Sequence, residues 1–512
     1  MDIDPKKLPE NIEQCHAMMA EMAKELDAKD RRVKQLQHLV EELLRWRYGP
    51  RRERVDENQL VLFAAGILGA GRDIEDAPPE APPEKPKVTP HGRQQLPKHL
   101  ERRRVVHDLL DSERRCPECH GELKHIGEEV SERLEYIPAS LYVIEEVCQK
   151  YACEKGCTVV TAQKPMQPIE KGLPGPGLLA HVVVSKYGDH LPLHRQEGMF
   201  EREGVKLSRS TMCDWMGRCA ELVTPLFELM KDRVLSGKIM QTDDTPVGVL
   251  DRALPRTRIG RIWTYVGDDK HPYTVYDYTP TRSRDGPLDF MKEFNGYLQA
   301  DAYSGYEALY EDKKRKVTEV ACWAHARRKF FEAQSSDIMR SMVMLAYIRL
   351  LYDVEREAKE MKLRGDGRFA LRQVKSVPIL DDIKAYLQRE QPNVLPKSPE
   401  GQAMSYTLSN WEALMRYCED GDLEIDNNGA ERSLRGVAVG RKNWLFFGSD
   451  NGGRTAAILT SFIITCKRLQ INPFTYLRDV FQRISPHPVN RLGDLLPDNW
   501  KAAQNSTQNL PA

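Results

Sequence analysis

Between Lys238 and Tyr306 the chain reads strand, strand, strand, helix, strand, and it places acids where strands should be apolar. "KIMQTDDTPVGVL" is an apolar strand carrying Asp243 and Asp244, and "RIWTYVGDD" and "YTVYDYTPTRS" follow as two more. "GPLDFMKEF" has a helical pattern, "GYLQADAYSGY" is a further strand ending on Asp301, and "TEVACWAHARRKF" runs from a strand into a helix with His325, Arg327 and Arg328. Carboxylates are rarely buried without a partner. Each acid alone has an ordinary explanation, in a turn before Pro246 or at Ser304 and Gly305. Together they ask for a common one.

Three strands, a helix and an acid-tipped strand fit a mixed α/β sheet of the ribonuclease-H type within a multidomain α+β chain. One metal ion, or a pair about 4 Å apart, would offset the repulsion between clustered carboxylates and activate a water or hydroxyl for attack on phosphorus. Oxygen ligands favour magnesium or manganese over zinc. A third carboxylate stands in "IDNNGAERSLR", where Asn427, Asn428 and Gly429 form a turn and Glu431 falls in the first turn of a new helix. Arg435 follows at i+4, so a local ion pair is the simplest reading of Glu431 taken alone. Between Phe330 and Tyr417 the pattern is helical, an insertion at about 331–420 that separates the last strand from this closing helix.

Upstream, apolar residues from Ile12 through Cys15, Met19, Met22, Leu26, Val33, Leu36, Val40 and Leu43 step by threes and fours, with Lys29 the one charged core position. The segment 8–48 is either a dimerising coiled coil or an amphipathic helix packed on its own domain. Residues 49–110 are a proline-rich linker, and from Lys85 to Arg104 it carries seven Lys or Arg against one acid, Glu101. This is a solvated tether or a strap laid on phosphates.

In 111–165, "CPECHGEL" supplies Cys116 and Cys119 and "YACEKGC" supplies Cys153 and Cys157. Two thiolate pairs are what a closed, structural tetrahedral zinc site requires. Cys148 and His120 are spare candidates, and the second pair is spaced more widely than the first. Residues 170–235 are helical, with a Gly204 turn and a Ser208 cap before a helix carrying Arg209 and Thr211. That pattern suits a DNA-binding helix-turn-helix or an ordinary helical hairpin.

Lys and Arg total 76 and Asp and Glu total 76, so any nucleic-acid binding must come from local clusters. No apolar run is long enough to cross a membrane, and "MDIDPKK" lacks the features of a signal peptide, so a cytoplasmic protein is expected. An odd total of eleven cysteines fits reduced thiols and a metal.

These blocks, in this order, resemble an insertion-sequence-66 type transposase, a bacterial enzyme of the DDE superfamily, over nearly the whole chain. The resemblance rests on "CPECHGEL...YAC", "DDTPV", "YLQADAYSGY", "CWAHARRKF", "IDNNGAERSLRGVAVGRKNWLFFGS" and "LQINPFTYLRDVF...LLPDNW". It implies a catalytic domain at 236–460, a C-terminal segment at 461–512, and Asp243, Asp301 and Glu431 as a triad holding two magnesium or manganese ions. Asp244 stands where the family more often has Glu and is a candidate to share the ligand role assigned to Asp243, and Ala302 stands where the family more often has Gly. Expected activity is cleavage of DNA at element ends and strand transfer into a target. Arg432, Arg435, Arg441 and Lys442 would lie near phosphates, with Arg327 and Arg328 as a second positive bank. Trp444 and Phe446 either stack on a splayed base or belong to the core, and core is the preferred reading. Expected partners are DNA, a second copy through the coiled coil, and small accessory proteins encoded alongside. A non-catalytic zinc-containing DNA-binding regulator and a nuclease without strand transfer are the competing readings.

Overall fold

The computed structural model describes residues 141–145, 148–152, 159–161, 166–170, 172–251, 253–311 and 316–508. The expected coiled coil at 8–48, the linker at 49–110 and the four expected zinc ligands, Cys116, Cys119, Cys153 and Cys157, lie outside these residues. The described residues fall in two compact units, one within Ile74–Gln163 and a larger one within Lys164–Ala512. In the smaller unit, β1 (Lys150–Ala152) pairs antiparallel with β2 (Val159–Thr161), and the connection between them contains Cys153 and Cys157.

The larger unit begins with three helices, α1 (Pro176–Tyr187), α2 (Leu193–Arg202) and α3 (Arg209–Leu235). Gly204 takes φ +80° in the turn after α2, a left-handed conformation that costs glycine nothing. Ser208 caps α3 by accepting the Thr211 N–H. The stripe Met212, Trp215, Met216, Cys219, Ala220, Val223, Leu226 and Met230 is buried, at the three-and-four spacing of a helix face turned to a core. Arg209 pairs with Glu197 of α2.

The strands follow as β3 (Ile239–Val249), β4 (Arg258–Gly267) and β5 (Thr274–Thr279), then α4 (Asp285–Phe290), β6 (Gly296–Ala300), α5 (Glu307–Glu311) and β7 (Val317–Ala321). They form a mixed sheet in the order β5-β4-β3-β6-β7. β4 runs antiparallel to both its neighbours, β3 and β5, whereas β6 and β7 run parallel to β3. The reason is connection length: short hairpins join antiparallel strands, and α4 and α5 supply the crossovers that parallel ones need.

Beyond β7 come α6 (Trp323–Ala333), α7 (Ile338–Glu360), α8 (Asp366–Glu390), α9 (Pro399–Ser409) and α10 (Trp411–Met415). These helices and β7 build their own core around Trp323, Phe330, Leu345, Ile348, Leu380, Met404, Trp411 and Leu414. Next are α11 (Asn428–Trp444), the short β8 (Phe446–Phe447), which lies parallel beside the end of β3, and α12 (Asp450–Arg468), α13 (Pro473–Arg483) and α14 (Pro497–Gln508). β5 is an edge strand, and α12 covers it: the hydroxyls of Thr465 and Ser461 accept the Thr274 and Tyr276 N–H groups at 3.0 and 2.8 Å. An edge capped this way offers no ladder to another chain. No helix among the described residues is long and apolar enough to cross a membrane.

Inside the α7–α10 bundle Glu400 is only 1% exposed. Ser341 donates its hydroxyl to one oxygen, and the other has no partner. Burial pushes this carboxyl up to about 7 from 4.5. Because the folded value lies above the unfolded one, the stability this group contributes is fully present below pH 4.5 and is lost as pH rises through about 7. Glu400→Gln is therefore expected to flatten the fall in stability between pH 5 and pH 8, a difference of up to about 3 kcal/mol. Urea unfolding across that range measures it.

Candidate catalytic site

Successive residues of a strand point to opposite faces, so Asp243 and Asp244, in the middle of β3, have different surroundings. The Asp244 side chain is 4% exposed and both its oxygens are engaged. Arg261 donates to one at 2.8 Å, and Arg282 donates Nε and Nη2 to the other at 3.2 and 2.9 Å. Asp243 Oδ1 accepts only the backbone N–H of Asp244, at 2.7 Å. Burial pushes the Asp243 carboxyl up to about 7, and the negative charges of Asp301, Glu431 and Asp244 add to the effect.

Asp301 immediately follows β6, the parallel neighbour of β3. Burial pushes it up to about 6, the charges of Asp244 and Glu431 adding and Arg282 opposing. Ala302 beside it has φ +41°, a left-handed backbone that L side chains adopt at a cost of about 1 kcal/mol. Glycine, the residue the resemblance leads one to expect there, would adopt it freely.

Glu431 arrives from far along the chain, and the segment before it shows how. Gln299 of β6 donates to the Glu424 carbonyl at 2.6 Å, Gln241 of β3 to the Asp426 carbonyl at 3.5 Å, and Asn427 Nδ2 to the Thr242 carbonyl at 3.4 Å. The start of α6 grips the other side: Trp323 N–H meets the Ile425 carbonyl at 3.2 Å, and Asn427 N–H meets Cys322 Sγ at 3.4 Å. Asp426 then accepts both the backbone N–H and the side-chain amide of Asn428, at 3.1 and 2.6 Å, and starts the turn into α11. Residues 424–428 are thus laced across β3 and β6, and Glu431 sits in the first helical turn, where the dipole favours a carboxylate.

Gly429 is required by contact rather than by dihedral angle. A Cβ there would lie 2.2 Å from Gln241 Oε1. Gln241 cannot yield without loosening its bonds to Gln299, at 3.0 Å, and to Asp426. Gly429→Ala is expected to cost about 1–3 kcal/mol of stability, as overpacking a filled core does. Chemical denaturation checks this.

The ion pair expected between Glu431 and Arg435 is absent. Glu431 Oε1 instead faces His325 Nε2 of α6 at 3.7 Å, and it has no hydrogen-bond partner. Burial lowers the proton affinity of His325, the Glu431 charge opposing. Asp243, Asp301 and Glu431, together with the arginine-paired Asp244, therefore share one electrostatic field. They do not close into a ready cage: among the described residues no three His, Cys, Asp or Glu side chains are grouped tightly enough to hold a metal ion. The donor set nevertheless fits a hard divalent cation, with carboxylates made costly by burial and an orphaned Glu431 oxygen.

A model of the transposase IS66 family matches residues 171–455. The chain belongs to the transposase IS66 family. Further models match the zinc-finger binding domain of transposase IS66 at 113–156, the IS66 C-terminal element at 461–497 and the transposase C of IS166 homeodomain at 35–105. Membership implies a divalent metal, and the zinc-finger match implies zinc. Proteins y4hP and y4jD of Sinorhizobium fredii (strain NBRC 101917 / NGR234) are 34% and 31% identical to it, over 92% and 98% of this chain and 90% and 99% of theirs. The Drosophila P element transposase strand transfer complex aligns with 57% of this chain and 92% of that one at 10% identity and a TM-score of 0.29, too slight a likeness to bear on the fold.

In this IS66-family transposase the cationic candidates differ in their freedom. Arg432, Arg435 and Lys442 are exposed on α11, and the helical period puts Glu431, Arg435 and Lys442 on one face. Arg441 instead ties α11 to β3, donating to Thr245 Oγ1 at 3.0 Å and to the Pro246 carbonyl at 2.7 Å. Arg328 is exposed on α6, while Arg327 is half-buried. Trp444 stacks on Phe447 at 4.6 Å, but Phe446, expected in the core, is 42% exposed beside Gly248. Sequence reasoning missed Arg261, Arg282 and the role of Gln241. The signal for Arg261 is strand register, Pro246 opposite Arg261, and Arg282 arrives from the loop after β5; residue types disclose neither.

Proposed function

We propose that this chain is a DNA transposase that cuts DNA at its element's ends and joins the freed strands to a target. The observation that carries the proposal is geometric: hydrogen bonds from Gln299, Gln241 and Asn427 lace the segment before α11 across β6 and β3, the strands that lead to Asp301 and carry Asp243, so that Glu431 starts its helix beside them. The strand order β5-β4-β3-β6-β7, with three antiparallel strands and two parallel ones, supports a ribonuclease-H-like catalytic domain.

Asp243, Asp301 and Glu431 would hold two magnesium or manganese ions. Bound there, such ions supply charge stabilisation to the oxygens that attack and leave phosphorus. Asp244 plays another part. Neutralised by Arg261 and Arg282, it fixes the loop after β5 and keeps a fourth free negative charge away from incoming phosphates. Arg435 and Lys442, on the Glu431 face of α11, contact the DNA backbone, with Arg432 and Arg328 alongside.

The chemistry balances without a further reactant. Water adds to phosphorus as the bond to the 3' oxygen breaks, and that hydroxyl later adds to a target phosphorus as a second phosphodiester breaks. Cys116, Cys119, Cys153 and Cys157 hold a structural zinc ion, and residues 8–48 join two copies, each handling one end, with small accessory proteins as further partners.

Incubating the protein with a duplex bearing the element's terminus, supercoiled target DNA and magnesium tests this reading. Nicked ends and joined product are expected. Hydrolysed product alone would indicate a nuclease, and binding without nicking a regulator.

A further inference from the structure

His325 is assigned no part in the reaction above, yet its Nε2 faces the unpartnered oxygen of Glu431. Its place is fixed by the same contacts that deliver Glu431. The start of α6 is clamped to Ile425 and Asn427 through Trp323 and Cys322, and His325 follows on the first turn of that helix. The side chains of His325 and Glu431 are 22% and 28% exposed, and Nε2 stands 3.7 Å from Oε1. Oε1 and the other ring nitrogen, Nδ1, are both buried without a hydrogen-bond partner.

Orphaned polar atoms are rare in folded chains, and a buried carboxylate oxygen left without a donor while an imidazole nitrogen faces it calls for a cause. The separation exceeds a hydrogen bond by under about 1 Å, which a small side-chain rotation closes. Among the described residues Glu431 pairs with no other cation, and Arg435, one turn along, makes no ion pair with it.

We propose that His325 is the positioning residue of Glu431, its Nε2–H holding Oε1 so that the other carboxylate oxygen is presented to a divalent cation. The proposal rests on the reading of Glu431 as a cation ligand. Its logic is general: carboxylates that bind metals are themselves held by hydrogen bonds, and removing such a partner weakens the metal about 10- to 100-fold. It also gives the clamp at Cys322 and Trp323 a purpose, since it sets the positioning group and the positioned group on one rigid contact.

Titration of the full chain with Mn2+, followed by electron paramagnetic resonance of the free ion, tests this without any DNA reaction. His325→Ala is expected to weaken Mn2+ binding about 10- to 100-fold with little change in the thermal unfolding midpoint. His325→Gln, which keeps a donor near the Nε2 position, is expected to recover most of the affinity, and His325→Leu none. Two results overturn the proposal alone, provided Glu431→Gln has lost the ion: His325→Ala binding as tightly as wild type, or His325→Gln binding as weakly as His325→Leu. If Glu431→Gln and Asp243→Asn both bind Mn2+ like wild type, the carboxylate reading itself fails and the positioning role falls with it.

Discussion

Glu431→Gln should lower DNA-end nicking by about a thousandfold or more, the several kcal/mol of charge stabilisation that a divalent centre gives phosphoryl transfer. Gln fills the same space, so the loss would not reflect packing. In metal-free buffer the variant should be at least as stable as wild type. Asp243 and Asp301 are both pushed up in part by the Glu431 charge, and removing that charge relieves a cost. Asp243→Asn and Asp301→Asn should behave alike. Asp244→Asn should differ, because it strips Arg261 and Arg282 of their partner and lowers the unfolding midpoint. Nicking rates with thermal unfolding in EDTA separate the two classes. Cleavage surviving Glu431→Gln in magnesium would remove the assignment.

A comparably large effect, on stability, is expected at Arg372. This side chain is fully buried in the α7–α10 bundle. It meets Glu355 through two bonds of 2.7 Å and donates to the carbonyls of Tyr417, Asp420 and Leu423 at 2.6, 3.0 and 2.8 Å. Its guanidinium lies over the Tyr417 ring, 4.9 Å from the centroid. Arg372→Ala leaves the Tyr417 carbonyl without a donor and Glu355 with only Arg368, at 3.9 Å, and should cost about 3–5 kcal/mol. Replacing both partners with apolar residues should recover much of this, since the charge left behind is the main penalty. Arg372 also anchors the chain up to Leu423, next to Glu424, whose carbonyl Gln299 holds. Nicking should therefore fall along with stability. A loss below about 1 kcal/mol on denaturation would show the pair to be dispensable.

The parts of this site that were legible in sequence are those with a local signature. Asp243, Asp244 and Asp301 broke an apolar strand pattern, and Asn427, Asn428 and Gly429 announced a helix start, although the turn falls at Asp426 and Asn427 and the helix already begins at Asn428. The Ser208 cap and the three-strand, helix, strand succession were readable for the same reason. What escaped depends on distant pairings. Arg282 reaches Asp244 from a loop after β5, and Gln241 and Gln299 reach a segment over a hundred positions away. The i+4 rule set Arg435 against Glu431, but tertiary packing set His325 there. An exposed helical ion pair is worth only about 0.3–0.5 kcal/mol, too little to decide the matter. Phe446 read as core from its residue type; Trp444 and Phe447 do pack together, but alternation along β8 turns Phe446 outward.

The account stands on three carboxylates forming one divalent centre. A structure determined with Mn2+, using anomalous scattering to locate the ions, tests it most directly. Peaks are expected within about 2.0–2.4 Å of oxygens from Asp243, Asp301 and Glu431, with Asp244 still paired to Arg261 and Arg282. Saturating Mn2+ that leaves those oxygens without a peak, or that binds through Asp244 while Glu431 stays apart, would contradict it.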